Sequence, residues 1–266
     1  NLSKKYHWNA QPVPFCKNGY WIKGSQFPIG KTIEHKLGYY YIQDAASMLP
    51  VELFSANVLD KGIFLDMAAS PGGKTTHLAS RSMDQSLILA NDSSHDRLTS
   101  LRIVLQNWGT SHTAVCNYPG ENFGFWFPET FDAILLDAPC SMQGIREGET
   151  RTIKPVSRKE INQLANRQLN LLISGLKALK TGGELVYSTC TLTVEENEMV
   201  LDQVLRQYKG AVRVEPIQSL LEQRVTPLGR YSELEFDPQI QNAARIWPHT
   251  FGTAGFFAAL LTKVQP

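Results

Sequence analysis

The sequence predicts an α/β fold built on a mostly parallel sheet, and three observations carry that prediction. From about residue 51 onward, short apolar runs alternate with stretches of helical periodicity, the pattern of strands joined by crossover helices. One such run, Ile63-Phe64-Leu65-Asp66, leads through Met67-Ala68-Ala69-Ser70-Pro71-Gly72-Gly73-Lys74-Thr75, a Gly-rich turn that opens a helix. A chain of 266 residues with 42% apolar content is also long enough for one large domain with a sizeable core and a small attachment.

Taken in order, strands are expected over 63–68, 86–91, 113–116, 131–137, 184–188 and 256–262, with helices near 73–82, 94–107, 157–180 and 194–208. Thr193 followed three residues later by Glu196 reads as a capping box that starts the last helix. Residues 1–50 are rich in aromatics, Pro and Gly and read as short strands and turns, for example Gly19-Tyr20-Trp21-Ile22. They form an N-terminal accessory segment, and residues 51–266 form the main domain. Residues 141–167 are a long connection and early helix in which Arg146, Arg151, Lys154, Arg158, Lys159 and Arg167 outweigh Glu147, Glu149 and Glu160.

The formal charge of +1 carries no overall nucleic-acid signature, so any contact with a polyanion must be local. No run of about 18 apolar residues is present, and Asn1-Leu2-Ser3-Lys4-Lys5 lacks the apolar stretch of a secretory signal. A cytoplasmic protein without membrane contact is therefore expected. The four cysteines, Cys16, Cys116, Cys140 and Cys190, lie far apart without a C-x-x-C pair, and the six histidines show no ligand spacing. That argues against zinc and against a disulfide framework. A metal-free monomer is the expectation, and each cysteine is either core filler or a reactive thiol.

Gly73-Lys74-Thr75 is the end of a P-loop pattern, and Ala133-Ile134-Leu135-Leu136-Asp137 matches a strand-end aspartate that holds magnesium, so an NTPase is one reading. Ala68 occupies the place of the first glycine and breaks the pattern. Asp66 and Asp92 close successive strands. The second is where a Rossmann-like sheet holds the ribose hydroxyls of an adenosine ligand, which suits S-adenosylmethionine better than ATP. Either aspartate alone also reads as an ordinary strand-end turn residue.

Two thiols follow adjacent strands, in Asp137-Ala138-Pro139-Cys140-Ser141 and Ser188-Thr189-Cys190-Thr191, at the sheet edge where open α/β folds place their ligands. Each alone reads as a small apolar residue filling the top of the sheet. Two at one edge, each beside Ser or Thr, suit the methylation of a cytosine at carbon 5. That carbon is a poor nucleophile until a thiolate adds to carbon 6. A carboxyl group hydrogen-bonded to ring nitrogen 3 stabilises the adduct, and Asp137 is placed for it. The residues themselves leave open which cysteine attacks.

Together these motifs resemble the Sun/Nop family of RNA cytosine-C5 methyltransferases. The resemblance runs from Tyr41-Ile42-Gln43-Asp44-Ala45-Ala46-Ser47 through the Gly-rich loop, both cysteine motifs and Glu195-Glu196-Asn197-Glu198 to Gly255-Phe256-Phe257. The N-terminal run Pro14-Phe15-Cys16-Lys17-Asn18-Gly19-Tyr20-Trp21-Ile22 and Glu34-His35-Lys36-Leu37-Gly38 is similar to the branch acting on bacterial small-subunit rRNA.

The resemblance implies a Rossmann-like class I S-adenosylmethionine-dependent methyltransferase sheet. It implies that Cys190 forms the covalent adduct, that Cys140 assists release, and that Asp137 contacts both the cytosine and the methionine end of the cofactor. Ala69, Ser70, Pro71, Gly72, Gly73 and Lys74 would then surround the methionine and ribose, with Asp92 and Arg97 on the adenosine side. Asn117 stands where the family has an acidic residue for the adenine amine, Met142-Gln143-Gly144-Ile145-Arg146 leads into a shortened loop, and Ala254 precedes Gly-Phe-Phe in place of an acid. The implied substrate is ribosomal RNA of the small subunit, with tRNA as the alternative and an inactive RNA-binding scaffold as the rival from another class. Further RNA-binding parts are expected outside these residues.

A target cytosine must be single-stranded or flipped out before a thiol can reach carbon 6. Lys4, Lys5, Lys17, Lys23, Lys31 and Lys36, together with Arg146, Arg151, Lys154 and Arg158, are candidates for backbone contact. Tyr20, Trp21, Tyr39, Tyr40, Tyr41 and Trp126 either stack bases or fill a core. Replacing Arg151 and Lys154 together by alanine is expected to weaken RNA binding and flatten its salt dependence. Affinity measured across a salt series checks this, and an unchanged affinity removes the idea.

Overall fold

The computed structural model describes residues 2–25, 27–145, 155–217, 221 and 225–265. Its strands are β1 (Asn9–Val13), β2 (Cys16–Lys23), β3 (Ile63–Asp66), β4 (Leu87–Asn91), β5 (Thr113–Cys116), β6 (Phe131–Asp137), β7 (Leu179–Thr189), β8 (Val212–Glu215), β9 (Arg230–Tyr231), β10 (Leu234–Glu235), β11 (Ala244–Ile246) and β12 (Phe256–Lys263). The longer helices are α1 (Gly73–Arg81), α2 (Leu98–Trp108), α3 (Arg158–Ala178) and α4 (Glu198–Gln207). None of the described helices is long and apolar enough to cross a membrane.

The central sheet runs in the order β11-β12-β7-β6-β3-β4-β5, with β8 also paired to β12. The stretch β5-β4-β3-β6-β7 is parallel, as the alternation of strand and helix requires. Its strands are covered by helices on both faces, so Phe64, Leu65, Ile134, Leu135, Leu136, Leu185 and Val186 are all fully buried. The sheet is nevertheless mixed, because β12 pairs antiparallel with β7. The chain reaches β12 at the sheet's carboxyl edge, where the Gly255 N–H donates to the Gly144 carbonyl at 3.1 Å and Phe257 pairs with Thr189. From there the strand runs back along β7 as far as Thr262 beside Glu184.

The helices follow their apolar spacing. In α3, Gln168, Leu171, Leu172, Gly175 and Leu176 form one buried stripe. Gly175 is needed there, because a Cβ would lie 2.8 Å from Leu185 Cδ1 on the sheet. Ser157 and Glu160 make a reciprocal capping box at the start of this helix, which fixes the end of the segment leading from the Cys140 loop.

The capping box expected at Thr193 and Glu196 does not form. Helix α4 starts at Glu198, and its N-cap Asn197 makes no capping hydrogen bond. Glu196 instead accepts hydrogen bonds from Ser141 of the Cys140 loop and from Gln168 of α3. Glu198 is anchored as well. Arg245 Nε donates to its Oε1 at 2.8 Å, a second guanidinium nitrogen pairs with Oε2, and both side chains are fully buried.

The N-terminal segment folds as the antiparallel pair β1-β2 followed by short turns. Its side chains Val13, Phe15, Cys16, Ala45, Ala46 and Leu49 share a hydrophobic cluster with Leu78, Val186, Ile246 and Phe256 of the main domain. The Cys16 thiol donates to Glu52 Oε1 at 3.2 Å, and burial pushes it up to about 12. It is a core thiol. His77 Nε2 lies 3.0 Å from the same oxygen. The fold thus assembles a Cys16–Glu52–His77 group of ligand-capable side chains that histidine spacing alone did not reveal.

Arg245→Ala is expected to leave the Glu198 carboxylate buried without its partner and to lower stability by about 3–5 kcal/mol. Urea unfolding measures this, and a loss under about 1 kcal/mol, the range of exposed pairs, would show that the pair is not structural.

Candidate active site

The parallel register determines which residues meet at the carboxyl edge. Asp66 pairs with Leu135 across β3 and β6, and Asp137 pairs with Ser188 across β6 and β7. Asp66, Asp137 and the loop after Thr189 therefore emerge side by side. Cys140 and Cys190, on adjacent loops, place their sulfurs 3.3 Å apart, and both thiols are free.

The Gly-rich loop passes beside these strand ends. Gly72, at φ +113°, starts α1 in a conformation that side chains rarely adopt, and it packs against Leu101 and Val104 of α2. The next residue, Gly73, lies so close to Tyr41 that a Cβ would be 2.4 Å from its ring. Lys74, one step into the helix, sends its ammonium to Asp137 Oδ2 at 2.8 Å. The other Asp137 oxygen accepts from the Ser188 hydroxyl at 2.8 Å.

A cavity of about 180 Å3 opens here, lined by Tyr41, Ile42, Gln43, Ser47, Asp66, Ala68, Ala69, Ser70, Pro71, Gly73, Lys74 and Asp137. Six residues named from the sequence, Ala69, Ser70, Pro71, Gly73, Lys74 and Asp137, thus share one wall. Gly72 faces the α2 packing instead. Asp92, Arg97 and Asn117 form an adjoining cluster outside that lining. Asp92 accepts from the backbone N–H groups of Ser70 at 3.2 Å and Ser94 at 2.9 Å. Arg97 lies 3.6 Å from the Asp92 carboxylate and donates to the Ser70 carbonyl. Asn117 Nδ2 donates to the Asp92 carbonyl at 2.6 Å, so all three brace the loop from behind. The N-terminal residues Tyr41–Ser47 were legible only as a motif, because nothing in their own pattern says that they close a cavity 30 residues away in the chain.

Electrostatics distinguishes the two thiols. The hydrogen bond from Cys140 holds the Cys190 thiol below its ordinary value; burial and Asp137 oppose this, and the Lys74 ammonium adds to the lowering. The same hydrogen bond, with burial, raises Cys140. A thiol pair alone would be symmetric, and the lysine charge breaks the symmetry in favour of a Cys190 thiolate. Burial lowers Lys74, but Asp137, Asp66 and Cys190 outweigh it, so the ammonium stays charged. Burial pushes Asp66 up to about 7, against the hydrogen bond from Thr75. Its Oδ1 is buried without a partner.

Residues 55–262 match the model of the 16S rRNA methyltransferase RsmB/F family. The chain belongs to that family. Residues 1–45 match the N-terminal domain of 16S rRNA methyltransferase RsmF. Ribosomal RNA small subunit methyltransferase F of Erwinia tasmaniensis is 39% identical over 267 residues, covering 99% of this chain and 54% of that protein. The protein of the same name from Vibrio cholerae is 40% identical over 260 residues, covering 97% and 53%. The chain therefore spans about half the length of these curated relatives. Among solved structures, a methyltransferase homolog protein from Pyrococcus horikoshii superposes with a TM-score of 0.84 at 35% identity, covering 98% of this chain and 80% of that one. NSun6 from the same organism gives 0.71 at 29% identity, covering 93% and 60%. In this RsmB/F chain, the basic cluster proposed from the sequence at Arg146, Arg151 and Lys154 lies outside the described residues.

Lys74→Met and Cys140→Ala are each expected to raise the pH at which Cys190 becomes alkylated by iodoacetamide, because each removes a group that favours its thiolate. The Cys140 change has the larger effect, since its hydrogen bond is the leading cause. Peptide mapping of Cys190 alkylation against pH measures both, and an unmoved midpoint in either variant contradicts the assignment.

Proposed function

We propose that this chain is the catalytic part of an S-adenosylmethionine-dependent enzyme that methylates carbon 5 of a cytosine in small-subunit ribosomal RNA. The observation that carries the reading is the pair of thiols 3.3 Å apart beside the Lys74–Asp137 ion pair. Membership of the RsmB/F family and the names of the relatives support the RNA class.

The cavity residues fit the cofactor. Asp66 Oδ1 is a buried acceptor in want of a donor, and the ammonium of a methionine group would both satisfy it and favour its ionised form. Backbone from Ala69 to Gly73 would hold the rest of the methionine and ribose, with Asp92, Arg97 and Asn117 toward the adenosine. Bound there, adenosylmethionine supplies an electrophilic methyl group to carbon 5 of the base.

The remaining work belongs to the chain. Cys190 Sγ adds to carbon 6, which turns carbon 5 into a nucleophile. The addition leaves negative charge on the ring, ring nitrogen 3 takes up a proton from water, and that N–H donates to Asp137. Both its oxygens are engaged, but each carries two lone pairs and keeps acceptor capacity. After the methyl group is in place, water takes the carbon 5 proton, the Cys190 sulfur departs as a thiolate, and the proton on nitrogen 3 returns to solvent, which regenerates the ring. Cys140, whose raised thiol keeps its proton, assists that release and returns a hydrogen bond to the departing thiolate.

The N-terminal segment is proposed to face RNA. Tyr39 is 71% exposed and Tyr20 54%, which leaves both free to stack on bases. Trp21 packs against the core, Tyr40 lies edge-on to Trp8, and Tyr41 lines the cavity. A P-loop NTPase is disfavoured by Thr75, whose hydroxyl is buried and donates to Asp66 Oδ2 at 2.7 Å. A phosphate-bound cation would need that hydroxyl free.

Labelled methyl transfer from adenosylmethionine into separated small-subunit rRNA, large-subunit rRNA and tRNA tests the proposal. Label is expected in the small-subunit fraction and is expected to vanish with Cys190→Ala. Label in tRNA alone would move the substrate assignment. Stabilisation against heat by ATP but not by adenosylmethionine would overturn the reading altogether.

A further inference from the structure

The tripeptide Glu196-Asn197-Glu198 has three fully buried polar side chains, and the chemistry described so far uses none of them. Buried polar groups are expensive unless their partners are complete, so their partners indicate what they do. Glu196 Oε2 accepts from the Ser141 N–H at 2.9 Å and from Gln168 Nε2 at 2.9 Å, while Oε1 accepts from the Ser141 hydroxyl. The same Gln168 nitrogen donates to the Pro139 carbonyl at 2.8 Å. Pro139 and Ser141 are the two neighbours of Cys140, so Glu196, with Gln168, grips that thiol's backbone on both sides.

Asn197 does the same for the other thiol. Its Oδ1 accepts from the Thr189 hydroxyl at 2.6 Å, and its Nδ2 donates to the Thr191 carbonyl at 2.9 Å. Thr189 and Thr191 are the two neighbours of Cys190. The third residue, Glu198, is tied to Arg245, and the Tyr187 hydroxyl donates to the Glu196 carbonyl at 2.5 Å. The peptide that carries both grips is therefore held from behind.

We propose that Glu196 and Asn197 are positioning residues with separate duties, Glu196 for the Cys140 thiol and Asn197 for the Cys190 thiol. One peptide bond joins the two grips, and it couples the two loops alongside their direct contact between the Ser141 and Thr191 hydroxyls at 3.0 Å. The inference rests on the proposed reaction with Cys190 as nucleophile. Neither side chain touches a sulfur, so each acts on geometry alone. Glu196 governs release of the product, and Asn197 governs attack on the base.

Near-isosteric replacements separate the two duties. Glu196 meets only donors, and Glu196→Gln turns an amide NH2 toward the Ser141 and Gln168 donors. Asn197 meets one donor and one acceptor, and Asn197→Asp sets a carboxylate oxygen against the Thr191 carbonyl. In single-turnover reactions with RNA, the Cys190–RNA adduct is followed on denaturing gels and methyl transfer by label. Asn197→Asp is expected to slow adduct formation by about tenfold to a hundredfold, the loss that accompanies a displacement of a reacting atom by about 1 Å. Glu196→Gln is expected to form the adduct within about twofold of the unaltered rate but to accumulate it, because release slows by about tenfold or more. Cys140→Ser serves as the reference for that accumulation.

If either variant fails to fold, Gln168→Met removes the Gln168 arm of the first grip and Thr189→Val removes the Thr189 hydroxyl from the second, and the same split in a smaller degree is expected from them. Equal slowing of both steps in the two members of a pair, or no change in either step, overturns the proposal. Absence of any adduct and of any methyl transfer with the unaltered chain would instead strike at the reaction on which it rests.

Discussion

Lys74 carries a largely buried ammonium, and much of the site's arrangement follows from what that charge needs. Its Nζ meets Asp137 at 2.8 Å, and Asp66 and Cys190 also favour its charged form. A cation so placed demands anions, and here the demand is shared among two carboxylates and a thiol. One consequence is a cysteine that ionises more readily than its neighbour only 3.3 Å away. Another is that Asp137 is fixed in place, with the Ser188 hydroxyl on its second oxygen. The Gly-rich turn serves this end too, because Gly72 adopts the left-handed conformation that lets α1 begin where Lys74 points at the strand ends.

The sheet and its edge were legible in the sequence because periodicity and turn chemistry are local. The strands over 113–116 and 131–137 have the extents that their apolar spacing predicts, α1 and α3 come within two residues of theirs, and Leu179 and Lys180, expected in the helix, open β7. The antiparallel return of β12 was not legible. It depends on where Gly255 meets Gly144, and that is a contact between segments over 100 residues apart. The start of α4 was misread for a related reason. Thr193 and Glu196 have the right spacing for a cap, but Ser141 and Gln168 compete for the same carboxylate and prevail. Local propensity proposes such a cap, and tertiary hydrogen bonding overrides it. The pairing of the thiols could be inferred because both follow adjacent strands. Lys74 was placed at the site by its Gly-rich turn, but the hydrogen bond between the thiols and the Lys74 charge that together favour a Cys190 thiolate are tertiary contacts that no local pattern expresses.

The polar interior around the thiols also explains why this part of the fold is intolerant of bulk. Gly144 donates its N–H to the Cys190 carbonyl at 3.1 Å, and a Cβ there would lie 2.1 Å from the Gly255 carbonyl oxygen. Three chain segments meet at that glycine with no room between them. Close backbone approach and the hydrogen bonds of Glu196 and Asn197 hold the two loops together, which loops of their length do not achieve by themselves.

The contact of Tyr41 on Gly73 bears on how the chain can be rearranged. Tyrosine 41 comes from the N-terminal segment, and its ring lies where any side chain at position 73 would have to be. The boundary near residue 50 is thus a change of sequence pattern across which the packing continues. A chimera that takes its first 50 residues from a relative would exchange one wall of the cavity beside Lys74 together with the rest of the segment that carries Tyr41. In such hybrids the fit of Tyr41 against Gly73 would pass between parents only as a matched pair.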